Sequence, residues 1–397
     1  MSKIKKIILA STIAFILLIP NNSYALGNYI PFPNANQEDK TEEVIFRDLN
    51  LKEALLEHYK FHIDKNYRGN ILTKKMMTEF TSLTLSWANI FSLEGLEYAI
   101  NLTSLNLSNN FIEDITPISN LKYLKDLNLN NNKIKVADKL ANLLQLKKLA
   151  ISRNTISNLD FIPNVSLEEL DISSNGILKN ELTKDVNLSS LRVLKISKMG
   201  LDNISFLDNA NQLEVLYAED NQIKDLSPLK NLSNLKILYL DKNNITDISA
   251  LKNLANLEEF TAEKNNIKDI SSLDNKLKLQ RIVLNDNLEL RDISNLKSVE
   301  NLASLSINNT QVSDISSLVD LKYLYYLSLV GSKVDKDKQD ELKFYNENPK
   351  KLNNIEKKLE IISNKTEKYF SLKNYLFIFF IILITFSGIV SYWRKNK

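Results

Sequence analysis

His58 and His62 are the only histidines in the chain, and their HxxxH spacing puts both imidazoles on one face of a helix. With Glu57 beside them they offer two nitrogens and an oxygen, donor types that hold zinc. The HExxH order of a zinc protease helix is missing, and two imidazoles fall short of the three or four ligands a zinc site needs. Cysteine is absent, which removes thiolate ligands, disulfides and thiol nucleophiles together. Serines abound, yet there is no GxSxG elbow and no histidine beyond residue 62 to act as their base. Seven glycines in 397 residues argue against a Gly-rich phosphate loop. The residues of hydrolysis, metal catalysis and nucleotide binding are not assembled into a site. The expectation is a protein that is not an enzyme and needs no cofactor.

Another constellation recurs at a fixed offset. Lines begun at Phe80, Leu102, Leu124, Leu146, Leu167, Leu191, Leu213, Leu235, Leu257, Leu279, Leu302 and Leu324 align the chain with itself, most of them 22 residues apart. Each follows LxxLxLxxNxIxDIxxLxxLxx, as in LKILYLDKNNITDISALKNLAN. That period and wording are those of a leucine-rich repeat solenoid. The alternation Leu238, Leu240 has the period of a strand that points its leucines one way. An Asn in the ninth place, as at Asn110, Asn221 and Asn243, has an amide able to bond the backbone of its turn, and stacked copies would form a buried ladder. Asp247-Ile248-Ser249 then reads as the start of a short helical return. Met199, Thr310 and Ser332 replace that Asn, and the line from Leu167 is longer, so those lines are expected to be less regular.

The places between the leucines form columns on the strand surface. Most hold Ser and Asn, but the lines from Leu213, Leu235 and Leu257 set Val215 and Tyr217 beside Ile237 and Tyr239, and Glu219 beside Asp241 and Glu263, with Asp220 next to Glu219. Exposed aromatics on a rigid face are frequent anchors for partners. Three carboxylates in a row repel one another unless something compensates. A basic protein surface or a calcium ion would complete the row, unless Lys242 and Lys264 neutralise it from within. Those eight residues, Val215, Tyr217, Glu219, Asp220, Ile237, Tyr239, Asp241 and Glu263, are the candidate partner-binding site.

The repeat wording, with the helical stretch VIFRDLNLKEALLEHYKF ahead of it, resembles the internalin-type leucine-rich repeat surface proteins of Gram-positive bacteria over about residues 44 to 345. The resemblance implies a small helical cap on the first repeat and a concave strand face that binds host or surface proteins. Leu49, Leu51, Ala54, Leu55 and Tyr59 would line the buried face of that cap. Two features depart from the family: the roughly 40 residues after Lys333 leave no room for an immunoglobulin-like domain, and no LPxTG motif precedes the last apolar run.

The ends read as export and anchorage. Lys3, Lys5 and Lys6 precede an apolar run, Ile7 to Ile19, and then Ser23-Tyr24-Ala25, the pattern of a cleaved signal peptide. Asn374 to Trp393 carries no charge and is long enough to span a bilayer. Arg394, Lys395 and Lys397 follow it, which puts the C-terminus in the cytoplasm by the positive-inside rule. With those six cations set aside, 45 of the 51 basic residues face 48 acids, a balance with no footprint for nucleic acid. Leu352, Ile355, Leu359 and Ile362 have the spacing of a short amphipathic stalk helix.

The expected organisation is a signal peptide at 1–25, a linker at 26–43, a helical N-terminal cap at 44–79, an α/β leucine-rich repeat solenoid with about twelve parallel concave strands at 80–345, a charged stalk at 346–373, a transmembrane helix at 374–393 and a basic tail at 394–397. The expected function is binding another protein at the cell surface, in adhesion or host interaction. The alternative is a structural role, holding an envelope protein or wall polymer of the same cell. The expected location is the cell membrane with the repeats outside, or else a wall-linked form.

Overall fold

The computed structural model describes residues 42–159, 166–176 and 188–335, with Ile162, Leu182 and Asp337. The segments expected to be a signal peptide, a stalk, a transmembrane helix and a basic tail, and nearly all of the expected linker, lie outside the described residues. The chain divides into Met1–Glu43 and Val44–Lys397, and the fold below is that of the second unit. Among the described residues no helix is long and apolar enough to cross a membrane.

Each line of the repeat folds into one three-residue strand: β1 (Ser82–Thr84), β2 (Ser104–Asn106), β3 (Asp126–Asn128), β4 (Lys148–Ala150), β5 (Glu169–Asp171), β6 (Val193–Lys195), β7 (Val215–Tyr217), β8 (Ile237–Tyr239), β9 (Glu259–Thr261), β10 (Arg281–Val283), β11 (Ser304–Ser306) and β12 (Tyr326–Ser328). They form one twelve-stranded parallel sheet in chain order. The register joins like to like, Leu216 to Leu238 and Tyr217 to Tyr239. A nearly constant repeat length leaves each strand no other partner at equal depth. The middle residue of nearly every strand is buried, as are Leu240, Ile245 and Ile248 behind it. These side chains build one continuous apolar core along the stack. No rung could bury its leucines alone.

The strands stop early because the eighth place of every line turns left-handed. Trp87, Asn109, Asn131, Arg153, Ser174, Lys198, Asp220, Lys242, Lys264, Asp286 and Asn309 have φ between 54° and 60°, and Gly331 has φ 72°. Such a backbone is costly for any side chain but glycine. No β-branched residue occupies the place.

The asparagine ladder makes that turn affordable. Asn243 Nδ2 donates to Leu240 O within its own turn at 2.9 Å and to Ala218 O one rung earlier at 3.0 Å, while its Oδ1 accepts from Ile223 N at 3.0 Å. Asn110, Asn221 and Asn265 repeat the pattern. The lines lacking this Asn stay in register all the same. Thr310 Oγ1 donates to Ile307 O at 2.9 Å, and Met199 N is received by Asn221 of the next rung at 3.0 Å. Each turn is served from two rungs, so one missing amide is tolerated. The return begins with an aspartate cap, as where Asp247 Oδ1 accepts from Ser249 N at 2.7 Å ahead of the 3₁₀ turn Ser249–Asn253.

Helix α1 (Leu49–His58) precedes the sheet and buries Leu51, Leu55 and Leu56. Its N-cap Asp48 is fully buried. The carboxylate accepts from Asn50 N at 2.8 Å and Leu51 N at 3.2 Å, and also from Phe91 N at 2.6 Å and Ser92 N at 3.2 Å. One side chain thus starts the helix and ties it to the first rung's turn. Leu49, expected on the buried face, is 68% exposed, because the residue next to this anchor lies at the helix end, beyond the packed face. The helix continues as a π-helical turn, Tyr59–Ile63, and a short helix α2 (Lys74–Met77) buries Met77 just before β1.

Candidate partner-binding surface

Strands β7 and β8 place Tyr217 against Tyr239, ring centroids 5.0 Å apart and nearly perpendicular at 85°. That edge-to-face geometry stabilises aromatic pairs beyond their area. Val215 and Ile237 lie beside them in the same register, and all four side chains are half-buried. Lys195 Nζ sits 5.2 Å from the Tyr217 ring centroid, on the β6 side. On the β9 side the Tyr239 hydroxyl donates to Glu259 Oε2 at 2.5 Å, and Arg281 Nε stands 3.7 Å from the same oxygen. Burial raises the pKa of Tyr217, and burial and then the Glu259 bond raise that of Tyr239 well above the ordinary phenol. Both rings are neutral donors held in place, with one edge open on the sheet.

The acidic row is compensated one residue at a time. Ser197 Oγ donates to the Glu219 carboxylate. Asp241 Oδ1 accepts the backbone N–H of Glu263 at 2.7 Å. Glu263 accepts from Asn285 Nδ2 at 3.1 Å and pairs with Lys264 Nζ at 3.3 Å. Lys242 makes no ion pair among the described residues, so of the two expected cations only Lys264 serves the row. Burial raises the Asp241 pKa. Asp220 takes the exposed left-handed eighth place, φ 57°, and its N–H donates to Asp241 O at 2.8 Å.

A second ladder explains Asp241. The N–H of the seventh place has no backbone acceptor in these strands, and a side-chain oxygen supplies one. In some rungs this comes from the fifth place of the same line, as from Asn106 to Ser108 N at 3.0 Å and from Asp171 to Ser173 N at 3.1 Å. In others it comes from the seventh place one rung earlier, as from Asn130 to Ser152 N at 2.7 Å, Asn285 to Asn308 N at 2.8 Å and Asn308 to Val330 N at 2.7 Å. Asp241 is a member of this second set.

Sequence columns missed Val193, Glu259 and Lys195. Val193 pairs in register with Val215, extending the apolar strip by one rung, and its signal was the third-place run Val193, Val215, Ile237. Glu259 gave no such signal, because its bond to Tyr239 crosses from one line to the next. The two histidines of the HxxxH pair lie side by side, with ring centroids 4.6 Å apart and planes tilted by 41°, and burial and then His62 lower the His58 pKa. Among the described residues no three His, Cys, Asp or Glu side chains converge as metal ligands.

Comparison with known proteins agrees with the geometry. The family described as Leucine Rich repeats (2 copies) matches residues 100–143 and 211–253. The crystal structure of an internalin from Listeria monocytogenes is 29% identical, with a TM-score of 0.65 over 74% of this chain and 85% of that one. The chain carries leucine-rich repeats, and its structure is similar to that of an internalin. Two further structures share the repeat fold alone. The functional domain of InlJ from Listeria monocytogenes is 19% identical, with a TM-score of 0.55 over 73% of this chain and 70% of that one. The ectodomain of the Arabidopsis thaliana receptor kinase GASSHO1/SCHENGEN3, solved with CASPARIAN STRIP INTEGRITY FACTOR 2, is 20% identical, with a TM-score of 0.51 over 66% of this chain and 37% of that one. In this leucine-rich repeat protein the buried leucines recur from rung to rung, and the side chains between them differ.

Proposed function

We propose that this leucine-rich repeat protein binds another protein through its strand face, around Tyr217 and Tyr239, in adhesion or host interaction. The observation that carries the reading is the edge-to-face tyrosine pair flanked by Val215 and Ile237. The cluster is apolar and aromatic, half-open to solvent, and rigid because each member sits in a registered strand. Aromatic anchors of this kind lose little entropy on binding. The acids at Glu219, Asp241 and Glu263, together with Asp220, form a polar rim that steers a partner rather than anchoring it. The signal-like N-terminus and the apolar segment 374–393 favour a membrane-anchored protein with its repeats outside the cell, and the buried face of α1 supports its reading as a cap on the first rung.

Full-length protein used as bait against host-cell and bacterial-envelope extracts separates a host partner from an envelope partner. The Y217A/Y239A double variant is expected to bind that partner at least tenfold more weakly, about 1.4 kcal/mol or more, with an unchanged circular dichroism spectrum. Undiminished binding by the double variant overturns the assignment.

A further inference from the structure

The first four rungs present a surface of different chemistry. In β1 to β4 the fifth, seventh and eighth places carry Asn106, Asn109, Asn128, Asn130 and Asn131, with Arg153 the one charged side chain among them. Around the tyrosines the seventh and eighth places are mostly charged, from Glu219 to Lys264.

Asn106, Asn128 and Asn130 commit their oxygens to the fold and not their nitrogens, whereas Asn131 Nδ2 donates to Asn109 Oδ1 at 2.9 Å and Asn109 Nδ2 to Ser108 Oγ at 3.3 Å. Asn106 Oδ1 accepts from Ser108 N at 3.0 Å, Asn128 Oδ1 from Asn130 N at 3.0 Å, and Asn130 Oδ1 from Ser152 N at 2.7 Å. Those bonds lock each amide plane. The Nδ2 groups of the three meet no acceptor among the described residues. Elsewhere the same positions work without that nitrogen: Asp171 and Asp241 supply the oxygen to Ser173 N at 3.1 Å and to Glu263 N at 2.7 Å. Where Asn serves later in the stack, its Nδ2 is used internally, by Asn285 on Glu263 Oε2 at 3.1 Å and by Asn308 on Ser306 Oγ at 3.3 Å. The turn therefore requires an oxygen, and only in the early rungs is a fixed amide donor left over.

Trp87 stands at the end of this platform, in the eighth place of the first rung, with φ 60° and 68% of its surface exposed. A bulky residue in left-handed backbone costs free energy that its burial does not offset here. Exposed tryptophan beside oriented amides is the chemistry of sugar recognition: the C–H face of a pyranose stacks on the indole, and hydroxyl and ether oxygens accept from the amides.

We propose that the strand face of β1 to β4 binds an uncharged polysaccharide, stacked on Trp87 and hydrogen-bonded by Asn106, Asn128 and Asn130. The rungs repeat at about 4.8 Å, close to the length of one pyranose unit, so two neighbouring sugars meet the equivalent donors Asn106 and Asn128. An extended peptide repeats a side at roughly 6.7 Å and falls out of step. A polyanion meets Asp126 in the third place of β3, and the third-place Lys148 of β4 is already paired with Glu169 at 2.5 Å.

The test is retention of the full-length protein on an array of uncharged hexose and N-acetylhexosamine oligomers, followed by titration with the best binder. N128D and N130D, made singly, keep the structural oxygen and lose the donor. Each is expected to bind about tenfold more weakly at an unchanged melting temperature, and W87A to weaken binding at least as much. Y217A/Y239A is expected to bind the glycan as the wild type does, which separates this site from the tyrosine surface. The proposal is overturned if the wild type is retained by no uncharged glycan, or if N128D and N130D both bind undiminished.

Discussion

The carboxylate of Asp241 accepts the backbone N–H of Glu263, one rung further along the stack, at 2.7 Å. Asn130, Asn285 and Asn308 do the same from the same place. The acid is thus a rung-to-rung tie before it is part of any binding surface. D241N preserves the acceptor and removes a charge that burial disfavours, so it is expected to be at least as stable as the wild type. D241A leaves the Glu263 N–H without a protein partner and is expected to lose about 1 kcal/mol. Urea titrations of the two variants decide it, and equal loss in both would contradict the tie.

Asp48 holds α1 to the first rung with four N–H bonds around one buried carboxylate. D48A orphans the Phe91 and Ser92 donors as well as the helix start. The expected cost is about 2–4 kcal/mol, since bonds to a charged acceptor are worth more than neutral ones and the donors left behind are partly buried. D48N, with one acceptor oxygen in place of two, is expected to fall between. The denaturation midpoint measures both, and a D48A variant with an unshifted midpoint would refute the tie.

Left-handed backbone at the eighth place makes a sharp substitution test. Lys242 is exposed, has φ 55°, and makes no ion pair among the described residues. K242G relieves the strain at some cost in unfolded-state entropy, so its stability is expected to change by less than about 1 kcal/mol. K242V forces a β-branched side chain into the same turn and is expected to cost about 1–2 kcal/mol. Thermal melts of the pair should differ in that order.

Acid should act in two opposed steps. Burial raises the pKa of Asp126 and of Asp241, so the native state takes up those protons first and gains stability as pH falls toward about 4, the unfolded value. Bonds from Thr116, Ser227 and Ser294 hold Asp114, Asp225 and Asp292 below the usual carboxylate range. Below about pH 4 the unfolded chain binds those protons first, and the stability they contribute is lost as pH falls through their native values. Melting temperature measured from pH 6 down to 2.5 should therefore hold or rise slightly and then drop. The D114N/D225N/D292N variant should show a shallower final drop.

Residue types and their spacing were enough for the solenoid itself. An apolar residue at every fourth and sixth place can be buried only by a stacked copy of itself, and the unbroken spacing of 22 residues from Leu191 to Leu279 admits one register there, so Tyr217 beside Tyr239 was legible before any coordinates. The ninth-place asparagines were legible for the same reason, since an amide there has its own turn within reach. The left-handed eighth place was not, because residues as unlike as Trp87, Arg153 and Lys264 adopt it and no side-chain type marks it. Nor was the Asp48 bond to Phe91, which crosses 43 residues, nor the role of Asp241, which read as a carboxylate awaiting a partner. Those depend on where an oxygen and an N–H come to rest across two rungs. Hydrogen bonds are short and directional, so which polar groups are used up by the fold, and which are left over for a ligand, was settled only once the rungs were stacked.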